Sequence, residues 1–394
     1  MAKNSFKAAR SDSSIHCPHY MKILVLTKRQ YSGYDLLDHR FGRLRELPLE
    51  LAGLGHVVMG IALSYRRKDE QTITDSDPSG KINVTWHPIN LRSGLVPRLN
   101  RYQARALDIA KVFSPDVIWA CSDAYHAIFG IRLAAKLGVR CIVDLYDNFE
   151  SFKATWVPGV LPRFKRAVQS ADGVTCVSHS LAKLIASGYG RQGASLVLEN
   201  SARTDLFAPR ERSACRKQLG LPEQAVIIGT AGALDESRGV NALFRAFELL
   251  LTKKPGLHLA IAGPRSRFSK IPMEPMVHDL GTLPLDMVPA LLNALDLAVI
   301  CNRNSAFGRH CFPQKAYEII ACRVPLVAAA VGSMNELLRE YPECLYEPEN
   351  ANSLAQVIER QLETRTIVDL RAPSWAESAR ELEAYFQEVL RSGA

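Results

Sequence analysis

Residues 225–251 read AVIIGTAGALDESRGVNALFRAFELLL. The run 225–231 is short, apolar and rich in β-branched residues, which predicts a buried strand. Gly232 follows, then a polar turn through Asp235, Glu236, Ser237 and Arg238 to Gly239. Val240, Leu243, Phe244, Phe247, Leu250 and Leu251 then recur at helical spacing. Strand, tight turn and amphipathic helix in that order form half of a βαβ unit, the building block of a parallel sheet. Small residues in the turn let backbone approach a ligand, and Arg238 is long enough to reach a diphosphate. The bland alternative is a strand–helix turn with an exposed Arg. The turn matches neither G-x-G-x-x-G nor G-x-x-x-x-G-K-[ST], which disfavours a dinucleotide site and a P-loop.

The alternation extends in both directions. Downstream, 258–262, 296–301 and 325–329 predict strands, and 287–294 and 314–321 predict helices. Upstream, strands are expected at 22–26, 56–63, 82–86, 117–121, 140–145, 173–177 and 195–198. Helices are expected at 43–54, 100–112, 125–137 and 181–186, the first and third stopped by Gly55 and Gly138. Two such series in 394 residues predict an α/β protein with two Rossmann-like domains facing a cleft. The expected boundaries are 21–205 and 206–372, with a last helical segment at 373–394. Residues 1–20 lack the apolar core of a secretory signal and read as a disordered extension or a start codon placed too early. No run approaches ~18 apolar residues, so no membrane-spanning helix is expected.

The formal net charge of +9 is uneven. Residues 1–210 carry 29 Lys and Arg against 18 Asp and Glu, whereas residues 211–394 carry 20 against 22. A basic first half points to an anionic partner. Nothing resembling a zinc finger or RNP motif is present, so nucleic acid is not expected. The nine cysteines are odd in number and form no C-x-x-C pair, which favours reduced thiols in a cytoplasmic protein over a disulfide framework or zinc site.

In open α/β sheets, ligands bind at the carboxyl ends of the strands, where helix N-termini favour phosphate. Two such domains suit a phosphorylated donor on one side and an acceptor on the other. The segment His310-Cys311-Phe312-Pro313-Gln314-Lys315-Ala316-Tyr317-Glu318 supplies matching chemistry. Pro313 suits the first position of a helix, which leaves the N–H groups of Gln314 and Lys315 to face an anion beside the Lys315 charge. Glu318, more than one turn in, can accept two hydrogen bonds from a ribose diol, or can lie on an ordinary helix surface.

These segments resemble the family-four retaining glycosyltransferases of the GT-B fold. His310, Phe312, Pro313, Glu318, Ala321 and Pro325 fall on that family's E-x-F-G/P-x-x-x-x-E helix and the strand entry after it. Gly263-Pro264 resembles the family's "IAG" turn, Gly281-Thr282-Leu283 the loop that meets the nucleotide base, and residues 200–207 the linker between domains. The resemblance runs from about residue 21 to 390. It implies that Glu318 binds ribose, that Arg238 fills the slot of a diphosphate-binding Lys, and that Gly232, Gly263, Leu283, Pro313, Gln314 and Lys315 line the donor site. It further implies that Gly33 faces the donor phosphates from the first domain and that the last helix crosses back to that domain. No metal or other cofactor is implied. Three departures stand out: His310 replaces the first Glu of the pair, Ala233 an Arg, and Arg323 a Gly where the chain favours positive φ. The first two motivate an alternative, a nucleotide-sugar-binding or assembly protein without catalysis. A nucleotide-sugar epimerase is a third reading.

On the acceptor side, the family often places a His or Asp after the fourth strand of the first domain. Here that place holds Asp123 and, one turn on, His126. Asp123 is expected either to orient an acceptor or to cap the next helix; His126 either joins it or is a core histidine. Asp144 and Asp147 follow the next strand with the same two readings. Two segments combine cations with apolar residues: 91–111, with Arg92, Arg98, Arg101, Arg105 and Lys111, and 153–166, where Trp156, Val160, Leu161 and Phe164 neighbour Arg163, Lys165 and Arg166. They suit either an anionic membrane surface or a solvated face over core residues. The resulting expectation is a retaining glycosyltransferase that moves a sugar from a nucleotide diphosphate sugar to a saccharide or lipid-linked acceptor, peripheral on the cytoplasmic face of a membrane.

Overall fold

The computed structural model describes residues 20–31, 34–91, 96–265 and 269–392. Gly33 and Arg92, both singled out from the sequence, lie outside the described residues, as do residues 1–19 of the expected extension.

The described residues form two large, mainly parallel sheets and a two-stranded antiparallel ribbon at 30–31 and 34–35. The first has eight strands in the spatial order 196–197, 173–176, 140–145, 117–120, 22–28, 57–64, 83–90 and 73–76. All pairs are parallel except the edge strand Ile73–Ser76, which runs antiparallel to Asn83–Asn90. The second has six parallel strands in the order 277–279, 257–262, 226–231, 297–300, 326–329 and 345–346. In both sheets the first strand in sequence lies inside, and later strands add first on one side and then on the other. This creates a switch point in each sheet: between Lys22–Lys28 and Val117–Ala120, and between Val226–Ala231 and Leu297–Ile300. Crossovers leave such a point in opposite directions, so a crevice opens at the carboxyl ends of its two strands.

The strands form where the sequence is apolar without alternation, because helices cover both sheet faces. Ile23 to Leu26 are fully buried, as are Ile118, Trp119 and Ala298 to Ile300. The helix Val240–Leu251 buries the expected stripe of Val240, Leu243, Phe244, Phe247 and Leu250. Helix Ala124–Leu137 ends where Gly138 turns left-handed at φ 70°. Arg323 adopts φ 53° after helix Lys315–Ala321, the conformation expected where the resemblance has Gly.

Several elements differ from the sequence expectation. Helices Val160–Ser170, Arg212–Leu219 and Ala351–Thr364 and the strand Ile73–Ser76 were not anticipated. The first of these decides between the two readings of Phe164 in 153–166. Phe164 is 1% exposed and packs near Phe149 and Tyr189, so it is core and cannot enter a membrane boundary. Lys165 pairs with Glu150 at 3.2 Å. Arg101 and Arg105 are likewise engaged, both by Glu70, at 2.9 and 3.1 Å.

The last helix, Trp375–Arg391, opens with a capping box between Ser374 and Glu377 and lies against the first sheet. Phe386 is fully buried, its ring 5.8 Å from that of Trp119, and the Tyr385 hydroxyl accepts the Val174 N–H at 2.9 Å. Phe386→Ala is expected to destabilise the protein by ~3–5 kcal/mol, the range for emptying a fully buried Phe site. Urea unfolding of the two proteins measures this; a loss below 1 kcal/mol contradicts the described packing.

Candidate functional site

The first sheet's switch point is built from the ends of two strands. Lys28 closes Lys22–Lys28, and its backbone N–H donates to the Ser122 hydroxyl at 2.8 Å. Its ammonium lies 5.5 Å from the centroid of the Phe152 ring. Ser122, just beyond Val117–Ala120, is held at φ 82°, a costly conformation for a residue with a side chain. Its carbonyl accepts the Tyr146 hydroxyl at 3.1 Å.

Asp123 caps helix Ala124–Leu137: its Oδ1 accepts the His126 backbone N–H at 2.9 Å and faces His126 Nδ1 at 2.7 Å. Its Oδ2 accepts the Tyr65 hydroxyl at 3.3 Å. Burial works against ionisation here, but His126, together with Lys28, outweighs it and holds the carboxyl well below the usual carboxylate range. Asp123 is therefore both a cap and a charged group at the carboxyl end of the strand. His126 is fully buried, and its Nε2 has no hydrogen-bond partner. Its other ring nitrogen, Nδ1, faces the Asp123 carboxylate and can fix its position.

In the second sheet the chain leaves Val226–Ala231 at Gly232, φ 112°, while Gly263 leaves the neighbouring strand Leu257–Ala262 at φ 142°. The two glycines abut. A Cβ on Gly263 would stand 1.9 Å from the Gly232 carbonyl oxygen, so no other residue fits without moving backbone. Lys315 Nζ would lie 3.2 Å from a Cβ on Gly232, which places its ammonium directly over this bare backbone. Leu283 is half-buried beyond them, after the Gly281 carbonyl that accepts the Gly263 N–H at 2.7 Å.

Arg238 ends a short turn capped by Asp235, whose carboxylate accepts the Ser237 N–H at 2.8 Å. Its guanidinium carbon lies 4.0 Å from the centroid of the Phe307 ring. Burial lowers the affinity of Lys315 for its proton, and the nearby Arg238 charge adds to this. Two cations held this close favour an anion between them.

Helix Lys315–Ala321 has Gln314 at its N-cap. Pro313 therefore sits one residue before the cap rather than at the first helical position expected for it; its carbonyl still accepts the Ala316 N–H at 3.0 Å. Glu318 is 8% exposed and accepts Gln314 Nε2 at 2.8 Å. Burial pushes its carboxyl up to about 7, against the pull of Gln314 and Lys315. Its charge reaches Tyr34 of the first unit. A small cavity there is bounded by Gln314, Glu318 and Leu285 on one side and Phe41, Gly42 and Arg203 on the other.

The second unit's loop between Leu297–Ile300 and Lys315–Ala321 is tied to the first unit. Asn148 Nδ2 donates to the Ala306 carbonyl at 3.0 Å, Ser180 to that of Arg309 at 2.8 Å, and Ser178 to that of His310 at 2.7 Å. Asn200 Nδ2 donates to the Phe312 carbonyl at 2.9 Å. His310 thus stands at the seam between the units, with Nδ1 buried and unpartnered among the described residues, and burial with Arg309 lowers its affinity for a proton. Arg238, Lys315, Glu318, Gly232 and Gly263 gather on the second unit's side of the seam. Asp123 and Lys28 lie at the first unit's switch point. The sequence reading passed over Lys28, although its place at the end of an apolar strand was a usable signal. Among the described residues no three His, Cys, Asp or Glu are grouped closely enough to hold a metal ion.

Comparison with known proteins matches the same two halves. Residues 43–200 match the family described as Glycosyltransferase Family 4, and residues 211–382 match Glycosyl transferases group 1. TuaC of Bacillus subtilis (strain 168), named for teichuronic acid biosynthesis, is 30% identical over 251 residues, covering 60% of this chain and 61% of TuaC. A D-inositol 3-phosphate glycosyltransferase of Mycolicibacterium gilvum is 27% identical over 189 residues, 45% of this chain and 41% of that protein. The matched regions thus span about three-fifths and two-fifths of those relatives' lengths. Among solved structures, sucrose-phosphate synthase from Thermosynechococcus elongatus superposes with TM-score 0.69 at 18% identity, covering 94% of this chain and 97% of that one. Anabaena HepE in complex with UDP-glucose gives 0.68 at 18% identity, covering 95% and 99%. With both halves matched in order and the GT-B arrangement of two facing sheets in place, the chain belongs to the family of glycosyl transferases group 1.

Proposed function

We propose that this protein is a retaining glycosyltransferase that moves a sugar from a nucleotide diphosphate sugar to a saccharide or lipid-linked acceptor. The observation that carries the reading is the Lys315 ammonium over the bare backbone of Gly232, which abuts Gly263, with the Arg238 charge acting on Lys315 and Glu318 one turn on in the same helix. A diphosphate needs cations and close backbone approach; a ribose diol needs a carboxylate within a few ångströms. The UDP-glucose bound by HepE and the teichuronic acid named for TuaC support a nucleotide-sugar donor and a saccharide acceptor.

In this reading the sugar–phosphate bond breaks through an oxocarbenium-like state, and charge accumulates on the departing diphosphate. Arg238 and Lys315 stabilise that charge without a metal ion. Glu318, as a carboxylate, holds the ribose and fixes the donor's position. Asp123 orients the acceptor hydroxyl, and His126 acts as a positioning residue beneath it. The seam contacts to residues 306–312 hold the two halves of the site together.

The membrane part of the reading rests on a smaller patch than the sequence suggested. Trp156 and Val157 are 71% and 57% exposed, with Lys153, Arg163 and Arg166 exposed around them. A Trp at such a tip, rimmed by cations, suits the headgroup region of an anionic bilayer. No helix among the described residues is long and apolar enough to cross a membrane.

Glu318→Ala is expected to weaken nucleotide-sugar binding by ~1–3 kcal/mol, the value of losing charge-assisted hydrogen bonds to the ribose. Calorimetric titration of a folded variant with unchanged affinity removes Glu318 from the site. Arg238→Ala is expected to lower the turnover rate more than Glu318→Ala does, since it acts on charge that develops in the transition state; release of nucleoside diphosphate with and without acceptor measures both. Flotation with liposomes containing phosphatidylglycerol is expected to carry the protein upward, and Trp156→Ala with Val157→Ser to reduce this. Equal flotation with neutral liposomes removes the membrane part.

A further inference from the structure

Three neighbouring strands of the first sheet end at one edge, and a polar residue stands at the end of each. Lys28 closes Lys22–Lys28 opposite Leu63, two residues before Tyr65. On its other side the same strand pairs Leu26 with Ala120, three residues before Asp123. The register thus brings Lys28, Tyr65 and Asp123 to the carboxyl ends of adjacent strands, beside the first unit's switch point. Hydrogen bonds join them. The Lys28 N–H meets the Ser122 hydroxyl at 2.8 Å, and the Tyr65 hydroxyl meets Asp123 Oδ2 at 3.3 Å.

Asp123 and Tyr65 each keep something to offer. Asp123 Oδ1 is filled by the backbone N–H and Nδ1 of His126, whereas Oδ2 has only the Tyr65 hydroxyl and can accept another donor. The Tyr65 backbone is anchored, its N–H donating to Gln30 Oε1 at 2.9 Å, while Gln30 Nε2 donates to the Ser64 hydroxyl at 2.9 Å. Tyr65 is nonetheless 49% exposed. A ring held at both ends and left bare beside a carboxylate suits the C–H-rich face of a sugar.

Most cations at this edge are matched. Arg29 is held by Asp35 and Asp38, Lys68 by Asp38, Arg43 by Asp144, and Arg101 and Arg105 by Glu70. Among the described residues Lys28 is in no ion pair, and its ammonium rests 5.5 Å from the centroid of the Phe152 ring. The acidic groups that feel its charge are Asp123 and Asp147, and Asp123 is already committed to His126 and Tyr65. Arg66 and Arg67, directly after Tyr65, are exposed and likewise in no ion pair among the described residues. The rim around Asp123 therefore carries positive charge in excess.

Resting on the acceptor half of the reading above, we infer that Lys28 and Tyr65 form the acceptor subsite around Asp123 and select a saccharide that carries an acid group, a carboxylate or a phosphate. Tyr65 seats the sugar ring, Asp123 Oδ2 accepts the attacking hydroxyl, and the Lys28 ammonium binds the acid group through a charge-assisted hydrogen bond. A neutral sugar leaves that ammonium without a partner once water is displaced.

The test is ligand-observed NMR titration of the full chain saturated with whichever of UDP, ADP and GDP it binds. The sugars are glucose 6-phosphate, methyl glucuronide and methyl glucoside, with their galactose counterparts. In at least one series wild type is expected to bind an acidic member about tenfold more tightly than the neutral one, a preference that added salt weakens. The variants are each checked for a native melting transition. Lys28→Gln is expected to bring the acidic members to the level of the neutral sugar, and Lys28→Arg to restore the preference; a merely structural role would weaken the neutral sugar as well. Tyr65→Ala is expected to weaken acidic and neutral members alike, and unchanged binding removes Tyr65 from the subsite. Equal binding or no binding of acidic and neutral sugars in both series, or a preference that survives Lys28→Gln, overturns the inference and leaves the donor reading standing. Loss of nucleotide affinity in Lys28→Gln also overturns it, since the lysine then serves the donor diphosphate. If no nucleotide binds wild type, the donor reading falls, and the same sugar series on the free protein decides the acceptor subsite.

Discussion

A parallel sheet whose strand order reverses leaves a place at its edge that its own crossovers cannot cover. This protein has two such places, and much of its chemistry collects there. The strands ending at Lys28 and Ala120 diverge on one side, and those ending at Ala231 and Ile300 on the other. At the first of them the Lys28 backbone N–H is met by a loop side chain, the Ser122 hydroxyl, instead of a neighbouring strand. The φ of 82° at Ser122 and the abutting glycines 232 and 263 show how tightly the turns must be drawn to leave the crevice open.

The charges at the seam are poorly compensated by design of the surroundings rather than by accident of exposure. Arg43, Asp144 and Thr175 form a closed buried network in which every partner is met, as buried ions require. Lys28, Arg238 and Lys315 have no such match among the described residues, while Asp147 and Glu318 are carboxyls that burial holds partly protonated. A protein core tolerates the first arrangement indefinitely. The second is costly in the empty protein and is relieved when an anion arrives.

The sequence was informative where local pattern and tertiary demand agree. The strand at 225–231, the stripe on Val240–Leu251 and the lysine–glutamate helix were legible because burial on a sheet face leaves periodic marks. Glu318, Lys315 and Arg238 could be named because they stand at fixed distances from such marks. Val160–Ser170 stayed ambiguous because Phe164 and Val168 on one side, with Arg163 and Arg166 on the other, are the signature of a surface-seeking helix and of an ordinary packed one alike. Lys28 and Asp147 stand 91 or more residues before Arg238 of the second unit. Their meaning depends on how two units meet, and no local spacing encodes that. His126 illustrates the reverse case: its proximity to Asp123 in sequence is kept in the fold, where Nδ1 meets that carboxylate at 2.7 Å.

The chain passes between the units twice, once at residues 198–206 and again near 373, and the two passages touch. The Ala202 N–H bonds to the Pro373 carbonyl at 3.1 Å, and the Ser201 and Ser378 hydroxyls meet at 2.7 Å. The two straps, fastened side by side, join the units along one line. The bonds from Asn148, Ser178 and Ser180 to residues 306–310 fasten them at a second place. The width of the gap is thus fixed from two sides by hydrogen bonds rather than by a packed core.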